Sequence, residues 1–418
     1  MNSRQPDVLV LGGGAVGLAC ALYLLQAGRS VTVIDRGKVG AATSHGNCGT
    51  ITPSHAMPLA APGVLADALR WMLKKDAPLR IAPRLDFALL GWLVQFARRC
   101  SADECRRITA IKAPLLLRAR SELEALVQSE RLACEFATLG TMNVYRDARA
   151  FDKSHAAVAL VAQFGISAQT LDGDACRARE PALNGSIVGG YFNANDAQLR
   201  PESYCAELAR AVVARGGEIH EDTAIGGFRV GGGRVEAVAT DHGEFAARDI
   251  VFALGSWSPQ LARQLDLRIP IQPGKGYSIT YTRPQTCPRI PVVLKERAVC
   301  VTGWESGFRL GSTMEFAGFD ATLNRTRLDA LKRGAAEYLI EPEGPSMLEE
   351  WYGWRPMTYD DLPILGPATA LRNLVLATGH GMLGITMSAI SGRLICESIT
   401  GAPPSLDPAP FLPSRFNL

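Results

Sequence analysis

Long apolar stretches are missing from this chain. No run of residues approaches the length needed to cross a bilayer, so contact with a membrane would have to be peripheral. Charge of one sign is missing too. Lys and Arg number 44 against 41 Asp and Glu, and the formal net charge of +3 is too small to argue for nucleic acid. The 10 cysteines include no C-x-x-C, and the closest pair, Cys100 and Cys105, has no histidine at zinc-ligand spacing. No metal site is expected, and the thiols read as reduced, as is usual in the cytoplasm. There is no Ser-His-Asp order, no repeat of fixed period and no low-complexity tract. What remains is an ordinary globular balance, 47% hydrophobic and 20% charged, over 418 residues. That length supports a large core and more than one domain.

The informative stretch runs from Asp7 to Asp35. Val8 to Leu11 is a short, fully apolar run, as a buried parallel strand requires. Gly12, Gly14 and Gly17 follow in the spacing G-x-G-x-x-G, with Ala15 and Val16 between them. An apolar helical segment then leads to Gly28, and Val31 to Ile34 forms a second apolar strand ending at Asp35. Gly12 permits the tight turn, Gly14 lets a pyrophosphate approach the backbone, and Gly17 lets helix and strand pack closely. The helix N-terminus offers free N–H groups to phosphates, and Asp35 can accept from ribose hydroxyls. A glycine turn alone is weak, but strand, turn, helix, strand and terminal acid occur here in order. The unit is read as dinucleotide-binding. Because the glycine turn interrupts the first apolar run, that run is not read as a secretory signal.

Beyond Asp35, small and hydroxyl-bearing residues dominate from Arg36 through Thr43, Ser44, Asn47, Cys48 and Gly49. Composition alone fits either a loop crossing close to a cofactor or a plain surface loop. Residues 64–130 have a helical pattern, with one apolar stripe at Leu65, Leu69, Met72 and Leu73 and another from Phe87 to Ala97. Arg70, Lys74, Lys75, Arg80, Arg84, Arg98 and Arg99 accompany them, with Trp71, Trp92 and Phe96 nearby. These residues could seat the chain on anionic lipid, but a solvated helix face with its aromatic residues in the core is the favoured reading. Strands are predicted at 134–145 and 186–192, a helix at 201–215 and a strand from Glu218 through Ala224 to Ile225. A hairpin turns at Gly231–Arg234, and Ile250 to Ala253 is a buried strand before a turn at Gly255. Near the C-terminus, Asn373 to Thr378, Gly379-His380-Gly381-Met382-Leu383-Gly384 and an apolar helix repeat the strand–turn–helix arrangement, so a second helix N-terminus can face a ligand.

Taken in order, several motifs resemble the D-amino-acid-oxidase-like class of FAD-dependent oxidoreductases, and within it the small-subunit type of bacterial D-amino-acid dehydrogenase. They are Gly12-Gly-Gly-Ala-Val-Gly17, Thr43-Ser44 with Asn47 and Gly49, Pro273-Gly-Lys-Gly-Tyr277, Gly353-Trp-Arg355-Pro, Asp361-Leu-Pro-Ile-Leu-Gly366 and Gly379-His-Gly-Met-Leu-Gly384. The similarity runs over nearly the whole length.

The resemblance implies an α/β fold, α+β overall: a doubly wound FAD-binding domain and an antiparallel-sheet substrate domain. The expected division is 1–63, 186–265 and 350–418 for FAD, with 64–185 and 266–349 for substrate. It implies hydride transfer from a D-amino acid α-carbon to flavin, an imino acid that hydrolyses to an oxo acid, and a quinone or other electron acceptor. A D-proline or cis-4-hydroxy-D-proline dehydrogenase, a glycine or amine oxidase, and a FAD-binding subunit of a hetero-oligomer fit the same motifs. The implied location is cytoplasmic, peripheral at the inner membrane if a membrane quinone accepts the electrons; homo- and hetero-oligomers are both open.

Arg355 is the expected carboxylate-binding residue, since a guanidinium grips a carboxylate through two parallel bonds. Its structural alternative is pairing with Asp360 or Asp361. Tyr277 could meet the substrate or pack in the core, and His380 could touch flavin or only fix its turn. Gly379, Gly381 and Gly384 are expected to donate backbone N–H groups toward the flavin ring. Lys275 reads as an exposed loop lysine. Two departures stand out: His45 and Cys48 occupy positions where the family often has Ser and Ala. His45 is where a covalent flavin link would form, although the local pattern differs from that of covalently linked relatives.

Overall fold

The computed structural model describes residues 5–72 and 79–418. Val8–Leu11, buried on both faces, is paired in parallel with Val31–Ile34 on one side and Asp249–Phe252 on the other. These strands belong to a 6-stranded sheet whose edges are Glu218–His220 and Ile364–Pro367. Ile364–Pro367 is antiparallel to its neighbour Leu374–Thr378, and the other pairings are parallel. The helix Ala15–Gln26 packs on this sheet and against the helices Gly384–Thr400 and Pro201–Ala214. Gly12 has φ +104°, a conformation that L side chains rarely adopt, and a Cβ on Gly17 would fall inside the shell of the Gly12 carbonyl oxygen. The first and third glycines of the motif therefore hold the turn and the close strand–helix approach.

The larger sheet has 9 strands, in the order Met347–Thr358, Ile271–Tyr281, Gly307–Phe316, Val299–Trp304, Val292–Leu294, Thr141–Tyr145, Gly189–Asn193 and Gln169–Asp172, with Leu79–Ile81 pairing beside Gly307–Phe316. It is antiparallel except where Val292–Leu294 meets Thr141–Tyr145 and where Leu79–Ile81 meets Met314 to Phe316. All 11 residues of Ile271–Tyr281 are buried. The helix Arg325–Ala336 covers one face through Leu328, Leu331 and Ala335.

Several expectations change here. The boundaries placed at 186 and 350 do not follow the sheets. Gly189–Asn193 and Met347–Thr358 both pair within the larger sheet, so its edges extend past those residues. The helical region 64–130 divides into Val64–Met72, Phe87–Ala97 and Ala102–Glu130, with the strand Leu79–Ile81 between the first two. Three residues show too little periodicity to announce a strand, and only the distant Gly307–Phe316 supplies its partner. Strand lengths also shrink. The first predicted strand begins at Thr141, the second at Gly189, and Glu218–His220 stops before Asp222, which has φ 52°. Leu73, Lys74 and Lys75 lie outside the described residues, and the side chains of Leu69, Trp71 and Met72 are likewise not described.

The helix starts are legible in local chemistry. Ser101 accepts from the Glu104 N–H at 3.2 Å, and Asp86 accepts from the Leu89 N–H at 2.9 Å, each satisfying a donor that the helix leaves open. The helix beginning at Phe87 turns Leu89 and Trp92 inward. Its outer side is not the charged face that was favoured: Phe87, Leu90 and Val94 lie exposed, Phe87 at 85%. The aromatic residues Trp92 and Phe96 stack at 5.3 Å on the inner side, as expected.

Candidate active site

A cavity of about 1160 Å³ lies between the two sheets. Its size exceeds the usual range for one small ligand and leaves room for a dinucleotide together with a substrate. One end is the first glycine turn, lined by Gly12, Gly14, Ala15, Val16 and Gly17. The helix there has Gly14 as its N-cap, without a capping side chain. Asp35 accepts from the backbone N–H groups of Gly13 at 2.7 Å and Gly37 at 2.9 Å. Burial still pushes its carboxyl above the usual range. Arg36 lies over the Trp257 ring at 4.1 Å, and both line the cavity with Thr223, Ala224 and Gly255.

The Arg36–Gly49 loop forms a cavity wall. Ser44 Oγ accepts from the Ala15 N–H at 3.2 Å, closing the loop onto the first helix. Thr43 donates to the Trp354 carbonyl at 2.6 Å, and the Cys48 carbonyl accepts from Thr302 at 2.8 Å, tying the loop to the larger sheet. Thr43, Ser44, Asn47 and Cys48 line the cavity, whereas Gly49 does not. A Cβ on Gly49 would strike the Leu199 carbonyl, so this glycine serves packing beneath the loop. His45 also turns away from the cavity: its Nε2 lies 2.9 Å from Glu349. The fold brings His45, Glu202 and Glu349 to within 4.8 Å of one another, a grouping that no sequence spacing announced. Arg309 pairs with Glu202 and the His45 ring bonds Glu349, so protein groups already engage both carboxylates.

At the other end, His380, Gly381, Met382, Leu383 and Gly384 line the cavity and Gly379 does not. A Cβ on Gly379 would come within 2.8 Å of Thr358 Cγ2, so its role is to fit the turn against the neighbouring strand. The expected donor at Gly381 is already used, since its N–H bonds to the Pro356 carbonyl at 3.0 Å. The start of Gly384–Thr400 has no capping side chain and leaves helix N–H groups as the donors of this turn. His380 Nε2 lies 2.8 Å from Ser391 Oγ, and burial pulls the imidazole pKa down to about 3. The ring is neutral at physiological pH.

Arg355 lies on Met347–Thr358 and extends over Gly276 of the neighbouring strand, where any Cβ would collide with its guanidinium. Its Nη1 donates to the Thr313 carbonyl at 2.8 Å. A bulge produces that contact. The pairing of Ile271–Tyr281 with Gly307–Phe316 slips between Lys275 and Tyr277, and Ser312 and Thr313 take φ 124° and 57°. The anticipated acidic partners are engaged elsewhere: Asp360 with Arg415 at 2.9 Å and Asp361 with Lys112 at 2.5 Å. Among the described residues no carboxylate pairs with Arg355, and burial lowers its pKa from the ordinary value. Tyr277 lines the cavity, but its hydroxyl donates to Glu315 at 2.6 Å. Lys275 is buried, not an exposed loop residue; its Nζ donates to the Thr322 carbonyl at 2.5 Å and lies 4.7 Å from the Tyr352 ring.

Other lining residues escaped the sequence reading. Leu59, Trp92, Phe96, Met314 and Phe316 make an apolar wall near Arg355, and Thr50, His55, Lys295 and Cys300 line another part. Thr50 adjoins a motif already noted, and Trp257 is two residues beyond Gly255, so proximity was the only available signal. The remainder come together through strand pairing.

A family model described as FAD dependent oxidoreductase matches residues 7–398. The chain is 35% identical over 415 residues to a D-amino acid dehydrogenase of Granulibacter bethesdensis, covering 98% of this chain and 99% of that protein. It is 36% identical over 406 residues to a D-amino acid dehydrogenase of Methylobacterium nodulans, covering 96% of each. Among solved structures, glycine oxidase from Geobacillus kaustophilus superposes with a TM-score of 0.80 at 22% identity, covering 98% of both chains. L-proline dehydrogenase from P. horikoshii superposes with a TM-score of 0.74 at 18% identity, covering 99% of this chain and 98% of that one.

Proposed function

The chain belongs to the family of FAD-dependent oxidoreductases, and from that premise we propose that it oxidises D-amino acids to imino acids, with Arg355 holding the substrate carboxylate. The residues present fit the cofactor. The helix N-terminus beside the glycine turn, its Ala15 N–H taken by Ser44, suits a pyrophosphate, Asp35 suits the ribose, and the Arg36–Trp257 pair suits the adenosine end. Bound FAD supplies the two-electron acceptor for the hydride of the substrate α-carbon. The protein's own part is to bind, orient and exclude water. Arg355, fixed from behind by the Thr313 carbonyl, aligns the carboxylate and thereby the α-carbon. Leu59, Trp92, Phe96, Met314 and Phe316 shield the amino acid side chain from water. The uncapped N-terminus of Gly384–Thr400 sets positive potential in the cavity wall, which would favour a cofactor that gains negative charge on reduction. His380 stays neutral beside it, so the helix N-terminus and not an imidazolium supplies that potential.

The observation that carries this reading is a cavity-lining guanidinium with no carboxylate partner among the described residues. Its test is anaerobic addition of D- and L-amino acids to purified, FAD-loaded protein, followed in the visible spectrum. Bleaching by D-amino acids alone is expected; no bleaching by any D-amino acid refutes the proposal.

The electron acceptor we propose is a membrane quinone, reached from a peripheral position. No helix among the described residues is long and apolar enough to cross a membrane. The support is Phe87–Ala97, which exposes Phe87 and Leu90 while Trp92, Leu93, Val94 and Phe96 line the cavity. Leu85, 99% exposed, extends the apolar face, and Arg70 and Arg80 lie exposed on neighbouring elements.

A further inference from the structure

The family reading gives no role to a pair of thiols in the cavity wall. Cys48 sits on the loop and Cys300 on Val299–Trp304, and both line the cavity, partly accessible. The fold brings them together by an indirect route. Cys300 is paired across the sheet with Gly311, and a Cβ on Gly311 would stand 2.5 Å from Cys48 Sγ. The loop is held in this place by the bond from Thr302, two residues after Cys300, to the Cys48 carbonyl at 2.8 Å. Cys48 and Cys300 thus meet at the same position on the sheet, and the charges of Arg309 and Arg355 reach Cys48. We infer that Cys48 and Cys300 form an oxidisable dithiol in the wall of the substrate cavity, closing to a disulfide with an oxidant of the peroxide class.

The surroundings suit that chemistry. The neighbouring Cys300 thiol, aided by the two guanidinium groups, holds the Cys48 thiol below its ordinary pKa, which favours the nucleophilic thiolate. Every other cysteine is shifted the opposite way. Burial pushes Cys176 up to about 11 and Cys134 and Cys205 up to about 12. In the first step the Cys48 thiolate attacks one peroxide oxygen; a sulfur–oxygen bond forms, the oxygen–oxygen bond breaks, and hydroxide leaves. In the second step Cys300 sulfur attacks Cys48 sulfur. The sulfur–oxygen bond breaks, and the hydroxyl leaves as water with the Cys300 proton. The hydroxide takes up the proton that the Cys48 thiol gave up on ionising, so two thiols and one peroxide give one disulfide and two waters. The cross-link would fasten the loop to the sheet.

The test uses the whole, FAD-loaded protein. It is treated with hydrogen peroxide, alkylated, digested and mapped by mass spectrometry, with and without dithiothreitol before alkylation. The expected product is one peptide pair joined through Cys48 and Cys300, absent after dithiothreitol and absent from C300S, whose other cysteines remain as alkylatable as in the parent. Full alkylation of both residues after peroxide overturns the inference. So does a Cys48 cross-link to any other cysteine, or the same loss of free thiol in C300S.

Discussion

Replacing Arg355 by Ala isolates the group on which the proposed chemistry turns. In the structure its guanidinium donates to the Thr313 carbonyl and, at 3.8 Å, to Met314 Sδ, and it has no carboxylate partner among the described residues. Truncation therefore strands no buried anion, and the fold should survive. What is lost is a forked, charge-assisted grip on the substrate carboxylate. Truncating one side of such a pair costs about 2–5 kcal/mol. At roughly 1.4 kcal/mol per tenfold, kcat/KM should fall by about 30-fold to several thousandfold. R355K keeps the charge but not the planar fork that lies over Gly276, so it should fall between the two. The assay is dye reduction over a range of D-amino acid concentrations, after confirming that each variant keeps its flavin spectrum. A simple carboxylate inhibitor should lose affinity in parallel, because it needs the grip without the chemistry. If R355A retains its flavin and kcat/KM stays within threefold of the parent, the carboxylate does not bind at Arg355.

Three further perturbations test other parts of the structure. G17A places a methyl group against the Gly12 carbonyl oxygen; overpacking of this kind costs about 1–3 kcal/mol, so thermal melting should drop by several degrees and FAD should be lost on gel filtration. His380 is held at a pKa of about 3 by burial, below its unfolded value near 6.5. Between these values the unfolded chain binds the extra proton, so stability is full above pH 6.5 and falls as pH drops toward 3. From pH 7.5 to 5.5 the parent should lose about 1.4 kcal/mol more than H380Q in urea titrations, and equal losses would contradict the neutral, buried ring. The double variant F87E/L90E should abolish co-sedimentation with anionic vesicles while leaving dye reduction by the soluble protein unchanged; undiminished binding would locate the lipid contact elsewhere.

What the sequence disclosed was whatever depends on neighbours along the chain. Val8–Leu11, the glycine turn, Ala15–Gln26 and Val31–Ile34 satisfy one another within 30 residues or so, and the fold reproduces them almost residue for residue. The 3-residue strand Leu79–Ile81 was invisible because its register is set by residues more than 200 positions away. Within the cavity the distinction is sharper. Gly379, Gly381 and Gly384 look alike in sequence, yet the first packs on Thr358, the second spends its N–H on Pro356, and only the third opens an uncapped helix. Arg355 could be suspected from its motif, but whether Asp360 and Asp361 would neutralise it depended on Arg415 and Lys112 reaching them first. The Ser312–Thr313 bulge that aims a carbonyl at this arginine has no marker at all, since neither residue is glycine and both take positive φ under tertiary constraint. Residue chemistry could therefore nominate the groups. Which of them keep an unsatisfied charge or donor facing the cavity is decided by long-range pairing, and that remainder determines what the site can hold.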